Sequence, residues 1–198
     1  LRVFVEFDGA MSNAQVFVNG QFAGTWPYGY ASFSFDITKF VKFGEKNLLA
    51  VRLDNKEQSS RWYSGAGLYR NVRLVYKSPT HVAYCGTFVT TPKIAREKAS
   101  VNVKTDIVNP AGAAKIVHKI YAPDSKLAAS AESENVAGEI FIDVPHPQLW
   151  DVKSPNLYRL ETSLFDKNGA KIDRYTTRFG IRKIEITRDG GFVLNGRK

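Results

Sequence analysis

The stretch Arg61-Trp62-Tyr63-Ser64-Gly65-Ala66-Gly67-Leu68-Tyr69-Arg70-Asn71-Val72-Arg73-Leu74 joins a glycine-punctuated loop directly to an alternating run. The glycines on either side of Ala66 allow positive φ and the close approach of another segment, which a Cβ would block. Beyond them Leu68, Arg70, Val72 and Leu74 alternate with Tyr69, Asn71, Arg73 and Val75, the period of two expected of a strand in a packed sheet, so Asn71 is placed on a strand. Outward from this point the chain reads as β in both directions. Arg2 to Asp8 sets Val3, Val5 and Phe7 on one face and Phe4 on the other. The runs Gln15 to Val18 and Gln21 to Thr25 flank Asn19-Gly20, a strong short-range hairpin signal. Phe33, Phe35 and Ile37 alternate with Ser32, Ser34 and Asp36, and a turn at Gly44 precedes a strand over Asn47 to Asp54.

Three patterns in this first part carry a resemblance. The spacing W-x-x-G-x-G-x-Y-R-x-V, from Trp62 to Val72, resembles the signature that closes the N-terminal sugar-binding domain of family 2 glycoside hydrolases, which include β-galactosidases, β-glucuronidases and β-mannosidases. Val16-Phe17-Val18-Asn19-Gly20 resembles the same domain, as does F-x-x-x-G-E-x-N-x-L-A-V from Phe40 to Val51. Each pattern alone is weak, and their occurrence in the right order is what makes chance agreement a poor account.

After Ser78-Pro79 the strands become lighter and turn signals recur at the spacing of a β-sandwich. Strands are expected at about His81 to Thr91, Ala99 to Asn109, Lys115 to Ala122, Lys126 to Ala131, Gly138 to Val144, Leu157 to Phe165 and Lys171 to Ile181. Asn109-Pro110, Pro123-Asp124 and Asn168-Gly169 punctuate them. Pro147-Gln148-Leu149-Trp150, Pro155-Asn156-Leu157-Tyr158 and Phe179-Gly180-Ile181-Arg182 resemble the closing part of the family's sandwich domain. The prolines bar helix there, and Trp150 and Tyr158 offer ring area to bury at a domain seam.

The expected fold is therefore all-β: a galactose-binding-like jelly roll over residues 1-78, an immunoglobulin-like sandwich over 79-183, and a short hairpin around Asp189-Gly190-Gly191 in 184-198, where the resemblance implies entry into a catalytic (β/α)8 barrel. A jelly roll has about eight strands. Six candidates precede Pro79 and the chain opens within one, so the first domain is expected to be truncated at its N-terminus. An open sheet edge recruits other strands, which makes a homo-oligomer an expectation too.

With 198 residues, 43% hydrophobic and 24% charged, the composition is that of an ordinary globular chain. No run approaches the roughly 20 apolar residues of a membrane helix, and no membrane partner is expected. The net charge of +9 comes from lysines and arginines spread along almost every strand and turn, only modestly denser at Lys93 to Lys98 and Arg174 to Lys183. That distribution is a solvated surface and not a nucleic-acid footprint. His81, His118 and His146 lack metal-ligand spacing, and neither a metal nor another cofactor is expected. Cys85, the single cysteine, reads as a buried structural thiol and does not choose between periplasm and cytoplasm.

Glycoside hydrolysis ordinarily needs two carboxyl groups across the scissile bond. The resemblance implies that the family takes its acid/base from an Asn-Glu pair in the barrel, and no Asn-Glu dipeptide occurs here. No catalytic residue is assigned. Glu6, Asp36, Glu139 and Asp173 fall on strand faces or turns and read as solvated. The residue after the Tyr-Arg pair is, in several family members, an aspartate that reaches the sugar pocket; at that place stands Asn71, an amide able to donate and accept but not to ionise. Asn71 is the one candidate substrate-binding residue, acting only with the barrel present, and an ordinary exposed strand-end amide is the competing account. The loop Trp26-Pro27-Tyr28-Gly29-Tyr30 is read as rings packing the end of a sandwich, with a stacking platform for a sugar face as the other reading. The function implied is that of a non-catalytic front part of a family 2 hydrolase, most readily a β-galactosidase, supporting and lining an active site built elsewhere. A stand-alone carbohydrate-binding module, with Trp26, Tyr28 and Tyr63 exposed, and a cell-surface adhesion sandwich are the alternatives.

Overall fold

The computed structural model describes residues 1–56, 65–189 and 191–198, which form two compact units, Leu1–Ser78 and Pro79–Lys198. Arg61 to Ser64, which open the quoted stretch, and Gly190 in the terminal hairpin lie outside the described residues.

In the first unit the strands are β1 (Arg2–Phe7), β2 (Ala14–Val18), β3 (Gln21–Trp26), β4 (Phe33–Asp36), β5 (Leu49–Arg52) and β6 (Val72–Lys77). They make two antiparallel sheets, β4-β1-β6 and β3-β2-β5. Alternation decides what is buried: Val3, Val5 and Phe7 of β1 and Ala14, Val16 and Val18 of β2 share one core with Phe33 and Ile37. Phe33 stacks on Phe7 and on Trp26, with ring centroids 4.7 and 5.6 Å away. Asn19 and Gly20 turn between β2 and β3 at φ of 52° and 78°, the doubly positive turn that suits the twist of a hairpin. The Asn19 side chain then donates to the Phe40 carbonyl at 2.9 Å and accepts from the Leu48 N–H at 2.9 Å. Asn47 closes the loop around Gly44 by exchanging bonds with the Lys42 backbone, each 2.8 Å. Two of the family-like patterns are thus folding devices.

Asn71 lies immediately before β6 and not on it, a correction to the expected strand. The register with β1 ends at Phe7↔Val72, because β1 itself stops where Asp8-Gly9 turns away, although the Asp8 N–H still donates to the Asn71 carbonyl at 3.0 Å. Val72, Leu74 and Tyr76 on β6 are exposed, unlike their partners Phe7, Val5 and Val3 on β1, and Leu49 on β5 is exposed, unlike its partner Val18 on β2. They border an open apolar cleft floored by Val5, Val18 and Ile37.

The second unit contains β7 (His81–Ile94), β8 (Lys98–Val108), β9 (Lys115–Tyr121), β10 (Leu127–Ser133), β11 (Glu139–Pro145), β12 (Tyr158–Phe165), β13 (Lys171–Phe179), β14 (Ile184–Thr187) and β15 (Gly191–Leu194). A sheet β11-β8-β7 and a sheet β10-β9-β12-β13 form an immunoglobulin-like sandwich, and β14-β15 is a hairpin. Ala99, Val101 and Val103 of β8 meet Ile120, Ile142, Val144, Leu160 and Phe179 in the core. Tyr158 is buried in that same core, so its ring serves the sandwich interior; its hydroxyl accepts from the Gln148 N–H at 2.8 Å. The three closing patterns interlock. The Trp150 N–H donates to the Ile181 carbonyl at 2.8 Å, Trp150 covers Gly180, the Arg182 guanidinium lies 4.9 Å from the Trp150 ring centre, and Asn195 beyond β15 donates to the Trp150 carbonyl.

Cys85 is exposed, contrary to the expected buried thiol. The register of β7 with β8 slips between Val82 and Thr87, and Cys85 takes φ of 53° in that bulge, which turns its side chain out of the alternation. The acids expected to be solvated divide. Glu139 is exposed, whereas Asp36 pairs with Arg2 and accepts the Thr38 N–H, Asp173 accepts the Val82 N–H at 2.9 Å, and Glu6 is half-buried.

Candidate functional site

Asp8 follows the last residue of β1 and gathers the residues around Asn71. Its carboxylate receives both guanidinium nitrogens of Arg73, each at 2.7 Å, in the forked geometry that carboxylates favour. Asn71 Nδ2 donates to the same carboxylate at 3.2 Å, and Arg70 Nη1 donates to the Asp8 carbonyl at 3.3 Å. The hydrogen bond from Arg73 is the chief reason that the Asp8 carboxyl is held below its ordinary range. Glu6, two residues earlier, moves the other way: burial raises its pKa, against the pull of Lys77 and Arg73.

Next to this cluster the aromatic loop departs from its expected packing. Trp26 packs against the core as expected, but Tyr28 and Tyr30 are 61% and 55% exposed. Pro27 and the short connection to β4 carry the two rings past the end of the sandwich, where no facing strand covers them among the described residues. Their rings meet edge to face at 5.8 Å, and Tyr30 meets Tyr69 at 6.4 Å. Tyr69 is anchored by its hydroxyl to the Gly29 carbonyl at 2.9 Å. Gly9 is required here, since a Cβ on it would sit 2.7 Å from the Tyr69 hydroxyl oxygen and 3.1 Å from Arg70 Cδ. Gly67 pairs with Met11 through reciprocal 3.1 Å backbone bonds, which ties the end of the glycine loop to the segment after Gly9.

Chemically the arrangement offers an exposed neutral amide, a neutralised carboxylate and exposed phenol rings. These suit hydrogen bonding and stacking with a polyhydroxylated ligand. Among the described residues they do not make an acid/base pair, because the Asp8 carboxylate is engaged by a guanidinium. Among the described residues no three His, Cys, Asp or Glu side chains come close enough to hold a metal ion, and no helix is long and apolar enough to cross a membrane.

Two β-sandwich units follow one another in the chain, and in the first a polar and aromatic cluster lies beside the glycine loop that precedes β6. The model of the glycosyl hydrolases family 2 sugar binding domain matches residues 1–79, that of glycosyl hydrolases family 2 matches residues 80–182, and the chain belongs to this family. It is 42% identical over 205 residues to a β-galactosidase of Bacteroides ovatus, covering 98% of this chain and 24% of that protein. A putative β-glucuronidase of Formosa agariphila is 38% identical over 198 residues, with 98% of this chain and 19% of that protein covered. The crystal structure of a glycosyl hydrolase family 2 member from Bacteroides cellulosilyticus superposes with a TM-score of 0.89 at 34% identity, covering 99% of this chain and 26% of that one. The chain therefore spans about a quarter or less of these relatives, and it corresponds to a non-catalytic portion of such glycosidases.

The residue singled out from sequence, Asn71, stands at the centre of the cluster. Asp8 and Arg73 were not singled out. The available signal was Asp8-Gly9 at the end of a strand, a polar residue at the sheet terminus followed by one that admits a neighbouring ring.

Proposed function

We propose that this chain supports and helps line the sugar pocket of a family 2 glycoside hydrolase that acts on β-galactosides, and that the Asn71 side chain hydrogen-bonds a substrate hydroxyl. The observation that carries the reading is the exposed Asn71 amide, held by Asp8 next to exposed Tyr28 and Tyr30 in a unit matched by the family's sugar-binding domain. The β-galactoside preference rests on the 42% identity to the Bacteroides ovatus β-galactosidase. The two carboxyl groups of hydrolysis come from chain outside this sequence, and this part contributes recognition and support.

The test is made on the intact enzyme. Losing one partner of a desolvated hydrogen bond costs about 1 to 3 kcal/mol, so Asn71→Ala lowers kcat/KM by roughly 5-fold to more than 100-fold. The melting temperature moves little, because the side chain makes a single bond to a partly exposed acid. Unchanged kcat/KM with lowered stability would show Asn71 to be a structural strand-end amide.

The exposed tyrosines favour a second reading, in which this chain binds carbohydrate by itself. Calorimetric titration of the isolated chain with galactose, glucuronate and their oligomers separates the two. Saturable binding lost in Tyr30→Ala supports the module, whereas no heat leaves only the pocket-lining role.

A further inference from the structure

The Asn71 amide has two chemically different ends, and its neighbours determine which one faces outward. The Asp8 carboxylate, gripped at 2.7 Å by both Arg73 nitrogens, is an acceptor with no proton to give. Only the NH2 end of Asn71 can therefore face it, as the 3.2 Å contact from Nδ2 shows. The backbone holds the two residues together: the Asp8 N–H bonds the Asn71 carbonyl at 3.0 Å, and Arg70 bonds the Asp8 carbonyl. Oδ1 of Asn71 is left turned away from Asp8, accepts no hydrogen bond among the described residues, and belongs to an exposed residue. What the cluster presents is an oriented acceptor. Its lone pairs take a hydroxyl hydrogen and repel a carboxylate.

We propose that Asp8 is a positioning residue that locks the Asn71 amide with its carbonyl oxygen outward, so that this point of the pocket accepts a hydrogen bond from a sugar hydroxyl and disfavours the carboxylate of a uronic acid. This rests on the reading of Asn71 as a substrate contact. Asp8 itself touches no substrate; it acts through Asn71. Replacing it with asparagine, whose own amide can pair with either end of Asn71, removes the orientation while keeping the volume.

The experiment uses the intact enzyme with p-nitrophenyl β-galactoside and its monodeoxy derivatives, and with p-nitrophenyl β-glucuronide, whose faster turnover by the wild type would overturn the discrimination against a uronic acid. Asn71→Ala is expected to lower kcat/KM on the parent sugar and to spare one monodeoxy derivative, the one lacking the contacted hydroxyl. Asp8→Asn should follow the same pattern with a loss of about 5- to 10-fold on the parent and under about 2-fold on that derivative. In the Asn71→Ala background Asp8→Asn should cost nothing further, as expected of residues acting as one unit. The exchange Asp8→Asn with Asn71→Asp rebuilds a donor behind an outward acceptor and should recover kcat/KM to within about 3-fold of the wild type. If Asp8→Asn does not fold, Asp8→Glu, which keeps the charge but displaces the carboxylate by a methylene, is measured the same way. Equal losses on parent and deoxy sugars, or in both backgrounds, overturn the positioning role while leaving the Asn71 contact intact. No effect of Asn71→Ala on any sugar removes the contact and the positioning role with it.

Discussion

His118 is the residue at which burial acts most directly on chemistry. It is 1% exposed on β9, opposite Thr162 of β12, whose hydroxyl oxygen lies 3.0 Å from Nδ1. Burial depresses its pKa from 6.5 to about 4, so the ring is neutral in the folded state. An unfolded chain takes up the proton near pH 6.5 and the folded one does not. The stabilisation is therefore complete above pH 6.5 and is lost as the pH falls toward 4, by about 3 kcal/mol at 1.36 kcal/mol per pH unit. Urea unfolding at pH 7.5 and pH 4.5 checks this. His118→Gln should lose clearly less stability over that interval than the wild type, and an identical loss would assign the whole effect to carboxylates.

Among the elements, β1 and β6 are neighbours in one sheet with unequal burial. Phe7 is fully buried and stacked on Phe33, whereas Leu74 is 54% exposed beside the open cleft. Phe7→Ala should cost about 3 to 5 kcal/mol and Leu74→Ala less than about 1, measured as urea midpoints of the first unit. Equal costs would mean that β6 is covered in solution. In the second unit Gly180 lies under Trp150, and a Cβ there would sit 2.6 Å from Trp150 Cβ. Gly180→Ala should destabilise by about 1 to 3 kcal/mol through overpacking, with a shift in tryptophan emission as the ring is displaced. The Asn19-Gly20 hairpin was readable from two residues because positive φ is a local property. The bulge that exposes Cys85 was not, because it depends on how β7 pairs with β8.

For the whole molecule, the absence of an Asn-Glu dipeptide and the engagement of Asp8 by Arg73 lead to one expectation about activity. The purified chain is expected not to hydrolyse chromogenic β-galactosides or β-glucuronides, because the family's Asn-Glu pair does not occur in the sequence and the Asp8 carboxylate is taken up by Arg73. Turnover that stays with the monomer peak through a second column would refute this.

Alternation, glycine placement and local motif chemistry act over a few residues, so the all-β class, the family and the turns at Asn19-Gly20 and Asn168-Gly169 are legible in the order of the amino acids. That order also marks Asn71, by its place after Tyr69-Arg70. The direction in which that amide faces is set by a long-range contact, because Asp8 lies 63 residues away in the chain and meets Asn71 through the register of β1 with β6. The same holds for Tyr28 and Tyr30: hydrophobic pattern marks a ring as worth burying, but only packing decides whether anything is there to bury it.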